Sequence, residues 1–575
     1  MQLEYIDQFL AAQGLANPSL AVLRATGDRY DTMLLQPDSE VECRNDFIGN
    51  ADTTTADQKH LAFFQLASSQ AVHLAITPEY STPWQTVKTL INGSIMPSDD
   101  ALWVIGCEAT TPAALSTFRQ EHPSVSWIIP DSAQRGTRTF IDPLLYLFKT
   151  RTQAGDNKVV GLVQFKTQEM GGDRDTFLER NNLIKGDTVF ILRNGEGSIY
   201  LLTLICSDAL SFRPRDLKNP EQPHLILHIQ LNPDPRHPAI QKYRKDLFDT
   251  KSDNKEVLCL NWARNIRVQG KTTPLNEISG SAIYTKSPEL DKRDASVLSN
   301  HAGGLYLTHW KSARGYVLFL NYLESVFYFS STRPSQTDAP PQTATRTSPQ
   351  MISTFRWDSA RLDWIQVSDS DSGVEGLCSQ FDLAQFKRTA VSDNPLDFER
   401  LLTLSCGLIT GTKWNPSPDF LRIFEIDDKE LIFRVAFCQD PHPEASAFRG
   451  RTLNHLKALR DILAEPGQFP KTIADLAGNC EIKYVDTDAP ANLFSLSSGE
   501  PAFVAYVGHE GSPADKRQLY DKMVTFCSAK DNARSRVVLW SHVGLNIAKE
   551  FDQTLPTVAK DLTEPPQSIV KDSSS

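Results

Sequence analysis

Tyr200-Leu201-Leu202-Thr203-Leu204-Ile205-Cys206-Ser207-Asp208 is a short apolar run that ends on a thiol, a small polar residue and an acid. Such a run reads as a strand buried on both faces, and reactive groups often sit where a strand of this kind ends. Free cysteine is among the most buried residue types and is commonly inert packing, so Cys206 alone decides nothing. Two upstream segments change that. Ala75-Ile76-Thr77-Pro78-Glu79-Tyr80-Ser81 places a carboxylate just past a short apolar strand, and Gly161-Leu162-Val163-Gln164-Phe165-Lys166-Thr167-Gln168 places an ammonium past another. In α/β sheets ligand sites form outside the carboxyl ends of strands, so the three groups can converge.

The bulk properties bound the class. A chain of 575 residues with 40% hydrophobic content can bury a large core, and its length suggests two to four domains. A net charge of −11 and a pI near 5.6 argue against a dedicated nucleic-acid binder, which carries a basic footprint. Met1 to Gly14 carries Glu4 and Asp7 and lacks the basic-then-apolar order of a signal peptide. The apolar stretch from Gly315 to Ser330 holds Asn321 and Glu324 and is too short to span a bilayer, so no membrane contact is expected. Nine cysteines are scattered without a C-x-x-C pair or a Cys/His cluster at zinc spacing, which suits reduced thiols in a cytoplasmic protein.

Ser331 to Met351 is rich in Pro, Ser and Thr, lacks apolar periodicity, and reads as a linker. Before it, strand-like and helix-like segments alternate. Asp31–Gln36, Val72–Ile76, Ala101–Ile105, Val125–Ile129, Val159–Phe165, Thr188–Leu192, Tyr200–Ile205, Leu225–Leu231 and Glu256–Leu260 read as strands. Asp57–Gln70, Thr82–Ile91 and Pro112–Gln120 read as helices. Alternation of this kind indicates α/β layering. After the linker, Phe420–Ile426 and Glu430–Phe437 read as a hairpin, Arg451–Leu463 and Asp515–Phe526 as helices, and Pro501–Val507 and Arg536–Trp540 as strands. The expected organisation is an N-terminal extension (1–30), an α/β domain (31–330), the linker (331–351), a second α+β region (352–560) and a disordered tail (561–575).

Read as chemistry, the three strand-end groups form a nucleophile, a base and an oxyanion partner. A nearby ammonium lowers a thiol's pKa from about 8.5, and Lys166 would also face the oxyanion formed when Cys206 attacks a carbonyl or nitrile carbon. Glu79 would take the thiol proton, pass it to the leaving amine, and then activate water. This chemistry calls for no metal and no cofactor. Asp208 reads as a structural acid on the turn. Ser405-Cys406-Gly407 mimics a nucleophile turn without a base element nearby, His301 and His455 read as ordinary polar or core histidines, and Trp357 and Trp364 as anchors for the second region.

These elements, in this order, resemble the carbon–nitrogen hydrolase (nitrilase) superfamily. Met33-Leu34-Leu35-Gln36 is similar to its opening strand, Pro78-Glu79-Tyr80 to the element bearing the general base, and Phe165-Lys166 to the lysine element. Leu183-Ile184-Lys185-Gly186-Asp187 resembles its L-x-x-G-[DE], and Leu204-Ile205-Cys206-Ser207-Asp208 the nucleophile element. Leu225–Pro233, Asn261-Trp262-Ala263-Arg264-Asn265 and Ser279-Gly280-Ser281-Ala282-Ile283 are similar to three downstream elements. The resemblance implies a four-layer αββα sandwich, a Glu79–Lys166–Cys206 triad, a small-molecule amide, carbamoyl-amine or nitrile substrate, and a homo-oligomer.

The chain departs from the family pattern at two places. Ser207 stands where an aromatic is expected, and the second glutamate that follows the lysine has no clean match. Glu169, Asp173 and Asp175 lie in that loop and, with Ser207, are the candidates for substrate binding. Lys149 is a rival lysine, set aside because of its distance of 57 residues to Cys206 and its helix-like lead-in. The departures leave a second reading: a binding or regulatory module that keeps the fold without turnover, similar to nitrilase-like components of bacterial anti-phage systems.

Overall fold

The computed structural model describes residues 1–24, 29–93, 95–130, 138–170, 177–195, 198–220, 222–235, 237–249, 255–275, 279–287, 306–310, 315–332, 349–367, 373–383, 395–408, 443–485, 491–509, 511–526, 536–542 and 548–550. The chain is a mixed α/β protein whose described residues separate into two compact units, the first up to Val367 and the second from Gly373 onward. The hairpin expected over Phe420–Phe437, His301, Asp173, Asp175 and the tail lie outside the described residues.

Two large sheets build the first unit. Tyr200–Ile205 lies inside an eight-stranded sheet, parallel to His224–Ile229 with Ile205 opposite Ile229, and antiparallel to Thr188–Leu192. Every residue of Tyr200–Ile205 is buried, as the unbroken apolar run requires. The nine-stranded sheet holds Arg29–Gln36, Leu74–Ile76, Leu102–Gly106, Pro143–Arg151 and Asn157–Phe165 in adjacent positions. Side chains alternate between its faces with period two. Leu34, Ile76 and Val104 share one core with Leu201, Ile205, Leu227 and Leu258 of the other sheet. Met33, Leu35, Ala75, Trp103 and Ile105 point the other way and pack with Phe63, Phe64, Val87, Leu90 and Leu115. Those partners come from helices Thr53–Ser69, Trp84–Asn92 and Pro112–Glu121. Asp52 and Thr111 cap the first and third by accepting from Thr55 N and Ala114 N, which satisfies amides that have no intrahelical partner.

Gln164 aligns the two sheets. It is fully buried, donates to Thr203 O at 2.9 Å, and accepts from Phe190 N at 3.0 Å. A buried amide left unpaired costs about 1–3 kcal/mol, so apolar contact alone would permit sliding that this side chain resists. Its position two residues before Lys166 and its partner three before Cys206 tie the register of the sheets to the site.

The first unit extends past both expected boundaries. Gln2–Tyr5, expected as part of an extension, pairs in parallel with Thr188–Leu192. Gln350–Asp358 pairs with Ser325–Thr332 across the low-complexity segment, and Asp363–Gln366 follows it in the nine-stranded sheet. The boundary expected at 351/352 therefore falls within a strand. Trp364 accordingly anchors the first unit: its indole donates to Lys59 O at 2.9 Å and its ring meets Trp357 edge-on.

The second unit has a five-stranded sheet containing Pro501–Tyr506 parallel to Val537–His542, with helices Pro395–Ser405, Pro443–Leu463 and Pro513–Phe526. Leu453, Leu456 and Leu459 are fully buried in its core, matching their helical spacing. Cys406 is buried there with its thiol against Thr452 O.

Candidate active site

Glu79, Lys166 and Cys206 meet at the carboxyl ends of their strands, two from the nine-stranded sheet and one from the eight-stranded sheet. Lys166 Nζ lies 2.6 Å from Glu79 Oε1, and the Cys206 thiol faces both groups closely enough that each acts on its ionisation. All three residues are at most 1% exposed.

The backbone aims each group. Cys206 has φ +43°, a left-handed conformation uncommon outside glycine, at the step from its strand into the turn Asp208–Ser211. Cys206 N donates to Ile229 O at 2.8 Å, and Cys206 O accepts from His228 Nε2 at 2.9 Å. His228 Nδ1 in turn accepts from Tyr243 OH at 3.0 Å. Burial drops His228 to about 3, so the ring stays neutral with its proton on Nε2. Asp208 is structural, as its position on the turn suggests. It accepts from Thr167 N, Thr167 Oγ1, Gln168 N and Ile205 N at 2.8–3.1 Å and so joins the Lys166 strand to the Cys206 strand.

The Glu79 turn is braced from three sides. Glu79 Oε2 accepts from Leu231 N at 2.6 Å, and Trp262 Nε1 donates to Glu79 O at 2.8 Å. Asn261 Nδ2 donates to Asn232 O and Ser279 O, both at 2.8 Å, and Ser279 Oγ donates to Gln36 Oε1. The Asn261-Trp262 and Ser279-Gly280-Ser281 elements thus brace the site. On the third side Gly106 closes against the turn. A Cβ there would stand 2.0 Å from Pro78 O, so only glycine fits. Gly106→Ala is expected to cost at least about 1–3 kcal/mol of stability through overpacking and to displace Glu79. Thermal unfolding measures the first effect, and turnover the second.

Glu179 is the acid that sequence reasoning missed. Its Oε1 lies 2.7 Å from Lys166 Nζ and accepts from Tyr80 OH at 2.9 Å, and its Oε2 accepts from Met170 N at 2.7 Å. It sits on helix Phe177–Asn182, four residues before Leu183, and that offset from the L-x-x-G element was the available signal. Glu169 instead pairs with Lys185 at 2.5 Å, partly exposed. Ser207, at the head of the turn, donates to Gln168 O at 2.6 Å and so ties the turn to the segment after Lys166, a positional role. Lys149 lies on strand Pro143–Arg151, not a helix, and its Nζ is 3.3 Å from Asp99.

Charges are unevenly matched. Asp142 Oδ2 is 3.9 Å from Lys166 Nζ, and Glu79, Asp142 and Glu179 bring oxygens within 4.8 Å of one another. Such a trio could hold a metal ion, but the Lys166 ammonium already bridges two of the three. Burial, then repulsion from Glu79, raises Asp142 well above the ordinary carboxylate range and favours its neutral form. Burial raises Glu79 as well, against the pull of Lys166. Burial alone would lower Lys166, yet Glu179 and Glu79 outweigh it and hold the ammonium well above its ordinary value. The expected lowering of the thiol does not occur. Burial and Glu79 push Cys206 well up, and Lys166 only opposes them. The resting thiol is neutral and needs a base at the moment of attack.

No family model matches the chain, and no curated protein matches its sequence. Among solved structures the chain is similar to the glutamine-dependent NAD+ synthetase from Acinetobacter baumannii, with 10% identity over 70% of this chain and a TM-score of 0.29. It spans 58% of that protein's length. It is also similar to a carbon–nitrogen hydrolase from Helicobacter pylori, with 11% identity over 44% of this chain and 81% of the other, at a TM-score of 0.27. The NitN amidase from Neterenkonia sp. AN1 matches with 12% identity over 44% of this chain and 84% of its own, at a TM-score of 0.23.

Proposed function

We propose that the Met1–Asp371 unit is a nitrilase-type domain, a four-layer αββα sandwich that hydrolyses a non-peptide carbon–nitrogen bond in a small amide, carbamoyl-amine or nitrile. The observation that carries the reading is Lys166 Nζ at 2.6 Å from Glu79, with the Cys206 thiol near enough that both bear on its ionisation. The layer reading is supported by Pro238–Phe248, whose Tyr243 and Arg244 meet His228 and Cys259 on the outer face of the eight-stranded sheet.

For an amide, Glu79 takes the Cys206 proton as the sulfur attacks the carbonyl carbon. Lys166 faces the resulting oxyanion. Glu79 then returns the proton to the departing nitrogen, the C–N bond breaks, and a thioester remains. Water, losing a proton to Glu79, attacks the thioester; the acid leaves and Cys206 regains its proton. Preorganised charge of the Lys166 kind supplies about 3–4 kcal/mol per donor. Glu179 acts as a positioning residue, holding Lys166 between two carboxylates.

The direct test is ammonia release from a panel of primary amides, carbamoyl-amines and aliphatic nitriles, with mass spectrometry of the acid-quenched Cys206 peptide. Release together with an acyl adduct at Cys206 is the expected result. Neither signal across the panel overturns hydrolysis and leaves the non-turnover module. The acid limb of the pH–rate profile is expected to lie above the ordinary glutamate value of 4.5. Turnover requires ionised Glu79, and burial raises the pH at which that carboxyl ionises. Iodoacetamide labelling of the resting thiol is expected to stay slow through pH 9, because the thiol titrates above that value.

A further inference from the structure

Three carboxyl groups share the buried centre with one ammonium, and the hydrogen-bond donors around them are unequally divided. Glu79 Oε1 accepts from Lys166 Nζ and its Oε2 from Leu231 N, both at 2.6 Å. Glu179 accepts from Lys166 Nζ, Tyr80 OH and Met170 N at 2.7–2.9 Å. Asp142 is 1% exposed, and its Oδ2 accepts from no donor, with the Lys166 ammonium 3.9 Å away. The backbone fixes its place. Asp142 O accepts from Lys166 N at 3.0 Å, just before strand Pro143–Arg151 pairs with Asn157–Phe165.

A carboxylate that no donor serves is costly where water is absent, whereas the neutral acid is not. Asp142 also lies within hydrogen-bond reach of Glu79, and two carboxyl groups that close do not both ionise. The proton therefore belongs to the acid without donors. The other titratable groups facing Asp142 are Lys166, Glu179, Tyr80 and Cys107. Burial raises Tyr80 and Cys107 well above their ordinary values, so neither adds charge at neutral pH. We infer that Asp142 is a positioning residue that stays protonated in the resting site and donates its hydroxyl to Glu79, leaving Glu79 ionised to take the Cys206 proton. The inference rests on the hydrolytic reading of this centre and adds to it a second acid in the opposite protonation state.

Unfolding and kinetics of the full chain test it together. Asp142 has a folded pKa raised above its unfolded value of 3.8, so its contribution is full below that value and is lost as pH rises through the folded one. In denaturant unfolding, wild type is expected to lose stability relative to Asp142→Asn between pH 5 and pH 7, by up to about tenfold in the folding equilibrium per pH unit. A difference that stays constant over that range would mean an ionised Asp142 and overturn the inference, whether or not a substrate is found. With a substrate, Asp142→Leu removes the donor. It is expected to lower kcat by about tenfold or more, with KM little changed, and to raise the acid limb of the pH–rate profile by about one unit. Asp142→Asn, whose amide can donate from the same place, is expected to restore most of both. An acid limb that falls in both variants would show that a like charge had been removed from beside Glu79, and equal losses in the two would show a packing role; either overturns the inference. A panel without turnover defeats hydrolysis alone, and the unfolding difference then decides the state of Asp142 by itself.

Discussion

Replacing Cys206 with alanine is expected to reduce turnover of any substrate found in the panel to background, a loss of roughly four to six orders of magnitude. The magnitude follows from the chemistry. Without the sulfur there is no acyl-enzyme, and Glu79 and Lys166 are left to orient water against an unactivated amide. Stability is expected to change little, since alanine keeps the backbone and Cys206 N still donates to Ile229 O. Cys206→Ala that keeps more than a hundredth of wild-type ammonia release, in protein free of wild-type contamination, would place the nucleophile elsewhere.

Lys166→Met is expected to cost both stability and activity. The ammonium is fully buried, 2.6 Å from Glu79 and 2.7 Å from Glu179, with Asp142 at 3.9 Å. Removing one partner from a buried ion pair strands the remaining charge at a cost of about 3–5 kcal/mol. The pH dependence has a definite sign. Lys166 has a folded pKa raised above its unfolded value, so its contribution is present throughout the range below about 10.5 and is lost only as pH rises through the folded value. Its carboxylate partner Glu79 is raised too and so becomes neutral at a higher pH than an ordinary glutamate. The penalty of Lys166→Met should therefore be largest near neutrality and shrink as pH falls. Denaturant unfolding at pH 5 and pH 8 measures this; equal penalties at both would contradict the charge account.

The strands that carry the site were legible because the stretches that run into it are buried on both faces. Tyr200–Ile205 and Thr188–Leu192 form over the residues their apolar runs mark, and the helices within 53–121 begin within a few residues of expectation. The lead-in to Lys149 forms a strand where a helix was expected, because Pro143–Phe148, apolar on both faces, carries no periodicity that separates the two. Glu179 was not legible because the acid expected in the loop after Lys166 comes instead from the helix Phe177–Asn182. Its carboxylate is selected by distance to Nζ, which sequence separation does not encode. The same reason explains the 351/352 boundary. Composition marks where a chain is polar, but whether the following strand rejoins the earlier sheet depends on pairing Gln350–Asp358 with Ser325–Thr332.

Sequence by itself determined the local facts: which runs become strands, which residues end them, and that a thiol, an ammonium and a carboxylate each follow one. Local propensity and burial are set by neighbours along the chain. Only the tertiary structure decided that Cys206 comes from one sheet while Glu79 and Lys166 come from the other, and that Gln164 and Asp208 bind the two at a register that brings the three strand ends together. It also decided the ionisation. Whether Lys166 lowers the thiol or burial raises it depends on Glu79, Glu179 and the depth of burial, and those are properties of the packed site.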